Sequence, residues 1–524
     1  MRARTWTLRL VAVACAVLCA LVLLPVVASA SQEPAASGPE PEYQTLDELT
    51  GKQFAYVNGS VYNQYVQKRV QDTGESFYAS LPDCVAAVEG GKADAAVQLS
   101  YCCQAVVNRK GGTVALLPEN VGEVEEAFFF PKGDPLIPKF NEEIQKLEKD
   151  GTIDELTKKW VGTDESAKTL PNQDWDAPNG TLKFATSGVL DPFSYVGANG
   201  EILGYDVDLA LRIAKDLGYH LDISTITMDA IFASVQTGKV DFGGTLTKTP
   251  ERAEMVDFTE KVMPTYISVI VKSKDGGQTS GAANSATMGR SFIDDIKQSF
   301  IKTFVQENRW ELILSGLGVT AIISLCSGSL GTLLGYVFVT LRRKGNKLVG
   351  KLIDGYQAII GGVPIVVVLM VLYYVVFGST SIPGEIVAIL AFTLSFGSTA
   401  STTMWTAIKG IDIGQEESGL ALGYEKRAVF RKIVLPQAAQ QFLPQLISQF
   451  VGLVKETAVV GYIAVQDLTR ASDLIRARTM DAFFPLVSTA IIYFVLCRLI
   501  AHALNRLADR INPTSKPRKI RGVK

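Results

Sequence analysis

Between Leu312 and Leu504 the chain carries five apolar stretches, each long enough to cross a bilayer as a helix: Leu312–Leu341, Gly355–Phe377, Ile386–Trp405, Phe442–Ile463 and Phe483–Leu504. A spanning helix needs about 20 mostly apolar residues. No water reaches backbone polar groups in hydrocarbon, so each stretch must satisfy its own hydrogen bonds as a helix. Leu312–Leu341 has no charged residue, Pro364 interrupts the second stretch, and Lys455 and Glu456 lie inside the fourth. The mean hydropathy of +0.19 averages over two unlike halves, because residues 31–290 read as polar and globular.

Lysine and arginine placement gives an orientation. Arg342, Arg343, Lys344, Lys347 and Lys351 follow the first stretch, and the tail holds Arg506, Arg510, Lys516, Arg518, Lys519, Arg521 and Lys524. The connection Gly378–Pro383 has no basic residue. Five spans that start outside put both basic segments in the cytoplasm. The N-terminus agrees: Arg2, Arg4 and Arg9 precede the apolar run Leu10–Leu24, and Ala28-Ser29-Ala30 offers a cleavage site, so residues 1–30 read as a signal peptide. The expected location is the cell (plasma) membrane, multi-pass, with residues 31–290 extracytoplasmic.

A net charge of -2 favours neither nucleic acid nor an acidic partner. Two histidines, His220 and His502, and no C-x-x-C pair argue against a metal site or a histidine-based triad. Of seven cysteines, only Cys84, Cys102 and Cys103 fall in the exported part. They read either as one disulfide plus a thiol or as three small buried hydrophobes.

Three polar stretches read as linkers: residues 31–42, 164–180 and 274–292. Between them strand-like and helical patterns alternate: Lys183–Thr186, a helix over Asp206–Leu217, Leu221–Ile226, a helix over Asp229–Thr237. Such alternation predicts a sheet with crossover helices. The expected fold is an α/β two-lobed region followed by an all-α transmembrane domain of about five helices, over residues 293–512, with a basic tail at 513–524.

The loop 406–441 predicts a surface knob: a short helix, a turn at Gly423 and a second helix ending at Leu435-Pro436. Glu417-Ser418-Gly419, then Gly423, Ile433 and Leu435-Pro436 are spaced as in the ATPase-coupling loop of ABC importer permeases. The flanks, and Leu453-Val454-Lys455-Glu456-Thr457, resemble the polar amino-acid uptake branch. The departures are Ser418 and Gly419 in place of the motif's alanines, and Gly361, Thr402 and Trp405 where charged residues are usual. The resemblance implies that the loop docks into a cytoplasmic ATPase subunit, and that a second permease subunit, identical or different, completes the pathway. No Walker A sequence occurs, so ATP would be bound by the partner subunit and this chain would carry no cofactor and no catalytic residue.

Residues 181–273 resemble the first lobe of two-lobed amino-acid-binding proteins, through Asp191-Pro192-Phe193-Ser194-Tyr195, Gly204-Tyr205-Asp206-Val207-Asp208-Leu209, Gly238-Lys239-Val240-Asp241 and Thr249-Pro250-Glu251-Arg252. Residues 31–163 resemble the second lobe plus closing helices, through Leu49-Thr50-Gly51-Lys52, Asn58-Gly59-Ser60 and Gly90-Gly91-Lys92-Ala93-Asp94-Ala95. Each lobe occurs once, in reversed order, which implies a circularly permuted clamshell. The resemblance implies ligand contacts from Arg252, clamping a carboxylate, with Thr245, Thr247, Ser60 and the Val61 amide. Positions that usually hold acidic or aromatic ligand contacts carry Leu99, Ser187, Leu190 and Met228. The function implied is the substrate-binding and permease subunit of an ATP-driven importer for a small polar solute, an amino acid or related carboxylate. A ligand-gated channel and a non-transporting solute sensor are the alternatives, and the channel has no use for the Glu417–Pro436 loop.

Overall fold

The computed structural model describes residues 39–274 apart from 111, 198 and 199, and residues 296–511 apart from 379 and 381. The expected signal peptide 1–30, most of the linkers 31–42 and 274–292, and the tail 513–524 lie outside them. The described residues form two units: one contains both lobes and also Ser472–Ser488, and the other contains Leu312–Ala471, Thr489 onward and Ala230–Val240.

In the first unit the strands are β1 (Gln53–Val57), β2 (Gly74–Tyr78), β3 (Ala95–Leu99), β4 (Val114–Leu116), β5 (Gly122–Phe130), β6 (Thr181–Thr186), β7 (Val189–Leu190), β8 (Ser194–Val196), β9 (Ile202–Leu203), β10 (His220–Thr225), β11 (Phe242–Thr247), β12 (Asp257–Phe258) and β13 (Met263–Lys272). Ten of them form one sheet in the order β10-β6-β11-β5-β13-β3-β1-β2, with β12 beside β5 and β4 beside β13. Two parallel triads, β10-β6-β11 and β3-β1-β2, are the cores of the two lobes. The long antiparallel strands β5 and β13 join them: Met263–Ile267 of β13 pair with β5, and Ile267–Val271 pair with β3. Each long strand therefore starts in one lobe and finishes in the other.

Lobe order follows from this topology. The chain builds the β3-β1-β2 lobe first, crosses on β5, builds the other lobe, and returns on β13. Pro41 bridges Ser273, and Lys274 N donates to Glu40 O at 2.9 Å, so the region ends beside its own start. A start and an end that lie side by side are the arrangement a circularly permuted order of lobes would need, because domain termini often lie close together.

Residues 164–180, expected as a linker, are an ordered strap on the first-lobe sheet. Gln173 takes Leu221 N at 2.6 Å and donates to Leu221 O at 3.0 Å, extending the β10 edge, and Trp175 Nε1 donates to Tyr219 O at 2.9 Å. Leu170 and Trp175 pack against the core, so apolar anchors inside a polar, proline-containing stretch override its composition. Trp160, fully buried, donates to Asp208 Oδ2 at 3.1 Å, and Lys159 pairs with the same carboxylate at 2.7 Å. These contacts fix the closing helix Thr152–Val161 on the helix Tyr205–Asp216, and Lys146 of the helix Ile137–Lys149 pairs with Asp216 at 2.6 Å. A cluster of Phe128, Phe130, Phe140, Phe184 and Phe242 fills the first-lobe core, with ring centroids as close as 4.7 Å. Cys84, Cys102 and Cys103 are buried and, among the described residues, form no disulfide, as small hydrophobes would.

In the second unit four helices are long and apolar enough to cross a membrane: Trp310–Arg343, Gly384–Lys409, Lys426–Ile463 and Phe484–Asp509. The second apolar stretch differs from expectation. Its helices Lys347–Gly362 and Ile365–Val376 meet at 105°. Pro364 excludes helical conformation at the residue before it, and Val363 is extended at φ -111°, ψ 131°. Counting the bent pair as one span gives five. The fourth stretch also changes character, from α-helix over Leu435–Glu456 to 3₁₀ over Thr457–Ile463. Gly331 and Gly335 allow the first and third apolar helices to touch: a Cβ on Gly335 would stand 2.8 Å from Ser401 N.

Candidate functional site

In the first unit Arg252, from the first lobe, reaches the second lobe beside Ser60. Arg252 sits on the short helix Pro250–Met255, whose N-cap Thr249 accepts Arg252 N at 3.3 Å. Its guanidinium donates through Nη1 to Thr247 O at 2.8 Å and through Nη2 to Gly59 O at 3.0 Å. Arg252 thus spans from first lobe to second and reaches the residue next to Ser60. Ser60 Oγ is buried and has no hydrogen-bond partner among the described residues. Val61 is the N-cap of the helix Tyr62–Arg69.

Thr245 and Thr247 lie on β11, but their hydroxyls are engaged. Thr245 donates its amide and hydroxyl to Asp206 at 2.9 and 2.8 Å. Thr247 Oγ1 bonds Glu126 Oε1 and lies 3.3 Å from Tyr62 OH. Buried carboxylates thus hold the hydroxyls of both threonines. Ser187 Oγ stands 3.3 Å from Ser194 Oγ, Leu190 is half-buried on β7, and Leu99, fully buried, pairs with Ile267 on β13.

Glu126 was not expected at this site. It is 2% exposed, and burial pushes its carboxyl up to about 8, offset in part by the Thr247 hydroxyl. Burial likewise pushes Asp206 up to about 7, against its bonds from Thr245. The signal was present in the sequence: Val124, Glu126, Phe128 and Phe130 alternate on one strand face, and the glutamate occupies the inward, apolar phase.

A pH effect follows. Between the ordinary carboxyl range and about 8, folded Glu126 keeps a proton that the unfolded chain has lost. Its contribution thus destabilises the fold increasingly as pH rises through that window, with a slope approaching about 1.4 kcal/mol per pH unit. Glu126→Gln keeps an oxygen for Thr247 and removes the titration. In full-length protein in detergent, the melting temperature of Glu126→Gln should gain on wild type steadily from pH 5 to pH 8. Parallel curves would exclude a buried, proton-holding Glu126.

The residues expected to form the coupling loop lie in the second unit, in a helix–turn–helix knob. Asp412 caps the helix Ile413–Ala421 by accepting Gly414 N at 2.7 Å. Gly423 turns the chain at φ +85°, a conformation that side chains resist. The return arm, Lys426–Val434, runs into Leu435-Pro436 at the start of the long helix. Gly419 is buried where the arms meet: a Cβ there would stand 2.8 Å from Ile433 Cδ1 and 3.0 Å from Val429 Cγ2. Val429, Phe430 and Val434 make a small core, with Ile433 and Leu435 against it and Arg343 over the Phe430 ring at 3.6 Å. Glu417, Ser418 and Pro436 are exposed, and the knob presents Ile413 at 72% and Leu422 at 77% exposure.

Among the described residues no cluster of histidine, cysteine and acidic side chains has metal-binding geometry. Residues 182–431 match the family of bacterial extracellular solute-binding proteins, family 3. The L-cystine transport system permease protein TcyB of Bacillus subtilis is 28% identical over 212 residues, 39% of this chain and 90% of that protein. Among solved structures, an amino acid ABC transporter crystallised with histidines is 24% identical, with a TM-score of 0.36, covering 44% of this chain and 100% of that one. The arginine ABC transporter permease protein ArtQ of Haemophilus influenzae is 34% identical over 224 residues, 41% of this chain and 97% of that protein. With a solute-binding region, apolar helices and a relative matched over nearly its whole length, this chain belongs to the family of amino-acid ABC transporter permease proteins.

Proposed function

We propose that this chain is the solute-binding and membrane-permease subunit of an ATP-driven importer whose solute is an amino acid or a related small carboxylate. The observation that carries this reading is the knob Ile413–Val434, a buried three-residue core presenting exposed Ile413 and Leu422. An isolated apolar tip on a rigid helix–turn–helix is suited to a partner's cleft. That partner would be a cytoplasmic ATPase subunit that binds ATP, since this sequence has no Walker A pattern. A second permease subunit, identical or different, would complete the path. The lobes would face outward and the basic connection Arg342–Lys351 inward, as the lysine and arginine bias supports.

In the cleft, Arg252 would fork onto the solute carboxylate with Ser60 Oγ and the Val61 amide completing its shell. Leu190 and Ser187 would line the side-chain end. Thr245 and Thr247 would act through Asp206 and Glu126, as supports of the cleft wall.

The test is reconstitution. The tagged chain, purified gently from its native membrane, should bring down an ATPase subunit, and in vesicles the pair should accumulate an amino acid only with ATP. Solute-evoked ionic current without ATP would replace this reading with a gated channel. Solute binding with neither an ATPase partner nor uptake would replace it with a sensor.

A further inference from the structure

The segment Ser472–Ser488 lies in sequence between the fourth and fifth apolar stretches, yet it belongs to the unit that holds the solute-binding lobes. Its arginines grip both lobes. Arg478, 8% exposed, donates through Nη1 to Asp191 Oδ2 at 2.9 Å and through Nη2 to Glu165 Oε2 at 2.7 Å and Glu307 Oε1 at 3.3 Å. Its guanidinium also lies 4.3 Å from the Tyr195 ring centroid. Asp191, 3% exposed, takes Arg109 Nη2 at 2.6 Å as well. Asp191 belongs to the first lobe and Arg109 to the second-lobe helix Ser100–Lys110. One carboxylate therefore ties lobe to lobe, and both to this segment.

Arg476 makes the second attachment. It pairs with Asp83 on the second-lobe helix Leu81–Glu89, and is steadied by Asp473 Oδ1 at 3.2 Å and Ala482 O at 3.1 Å. Residues two apart on a helix point in different directions, so Arg476 and Arg478 of the helix Leu468–Thr479 can address different lobes. Leu474 adds an apolar contact: a Cβ on Gly188 would stand 3.2 Å from its Cδ2, beside the Val189–Leu190 wall. The inner cluster sets Arg109, Arg309, Arg478 and Lys168 against Asp191, Glu165 and Glu307. Its centre is the buried pair Arg478–Asp191, and separating such a pair leaves each partner desolvated and uncompensated.

We propose that the helix Leu468–Thr479 is a built-in latch for lobe closure. Arg478 secures the first lobe at Asp191 and Glu165, and Arg476 secures the second at Asp83. The same chain runs on into the apolar helix Phe484–Ile511, so lobe closure and the membrane helices share a continuous backbone. A role for this latch in transport rests on the importer reading above, but the latch itself does not.

The experiment measures a distance, so a chain that transports nothing still reports on the latch. Spin labels at Arg69→Cys in the second lobe and Asp222→Cys in the first, both exposed positions, are read in the full chain in lipid nanodiscs with Cys326 and Cys497 replaced by serine. Wild type should give one short separation. Arg478→Ala and Asp191→Asn should each raise the population of a longer separation roughly tenfold or more, the scale expected for breaking one side of a buried charge pair. Asp83→Asn, which leaves the inner cluster whole, should shift the distribution the same way by less, and it decides the matter should Arg478→Ala not fold. Superimposable distributions for wild type, Asp191→Asn and Asp83→Asn would overturn the latch.

Discussion

Replacing Gly419 with valine is expected to reduce solute uptake by roughly 5- to 150-fold while leaving solute binding unchanged, the range given by about 1–3 kcal/mol of overpacking. The two arms of the knob pack face to face at Gly419. A Cβ alone would crowd Ile433 Cδ1 at 2.8 Å and both Val429 methyls at 3.0 and 3.1 Å. Valine adds two more methyls to a core of only Val429, Phe430 and Val434, which has little to yield. The arms must splay, and Ile413 and Leu422 move apart from the arrangement a partner would fit. Gly423 provides the control. Its φ of +85° demands a left-handed residue, but a Cβ there meets nothing within 4 Å. Gly423→Ala should therefore cost only about 1 kcal/mol of local strain, and Gly423→Asn less, since asparagine tolerates that conformation. The expected order of uptake is wild type, Gly423→Asn, Gly423→Ala, then Gly419→Val far below. Uptake assays on cells, paired with recovery of the ATPase in pull-downs, read both ends of the coupling. Full uptake by Gly419→Val would remove the knob from the mechanism.

The knob was legible in the sequence because it is local. Its helix start at Asp412, its glycine turn and its Leu435-Pro436 exit are each set by residues within a few positions. The lobes were legible for a related reason: β6, the helix Tyr205–Asp216 and β10 follow hydrophobic period, and the structure shifts their ends by a residue or two. Long-range placement was not legible. Arg478 lies 287 positions from Asp191, and nothing near Arg478 in sequence marks it as a partner of the lobes. The strap at 164–180 was read by composition, and composition underweighted Leu170 and Trp175. The bend at Pro364 was visible as an interruption, but its angle depends on Val363 leaving the helical region, which a count of apolar residues does not register.

Arg252→Ala is expected to weaken solute binding by roughly 30- to 1000-fold, the equivalent of about 2–4 kcal/mol for stranding one side of a buried charge pair. Desolvation pulls the Arg252 guanidinium below its ordinary value, yet an arginine keeps its charge through any physiological pH. Two of its five N–H groups are used on Thr247 O and Gly59 O, which leaves three for a ligand. Those two bonds also fix the plane of the fork, so the remaining hydrogens are aimed before a carboxylate arrives. Arg252→Lys should fall between wild type and alanine, because an ammonium keeps the charge and loses the two-point geometry. Ser60→Ala should cost less, about 1 kcal/mol, the scale of one neutral hydrogen bond. Chemistry separates ligand contact from lobe bridging: if Arg252 touches the solute carboxylate, Arg252→Ala should hurt an amino acid far more than its amide. If Arg252 only bridges the lobes, both ligands should weaken by the same factor. Calorimetric titration of the full-length protein in detergent, with acid and amide side by side, reads that difference directly, and equal losses for the two would remove Arg252 from the ligand shell.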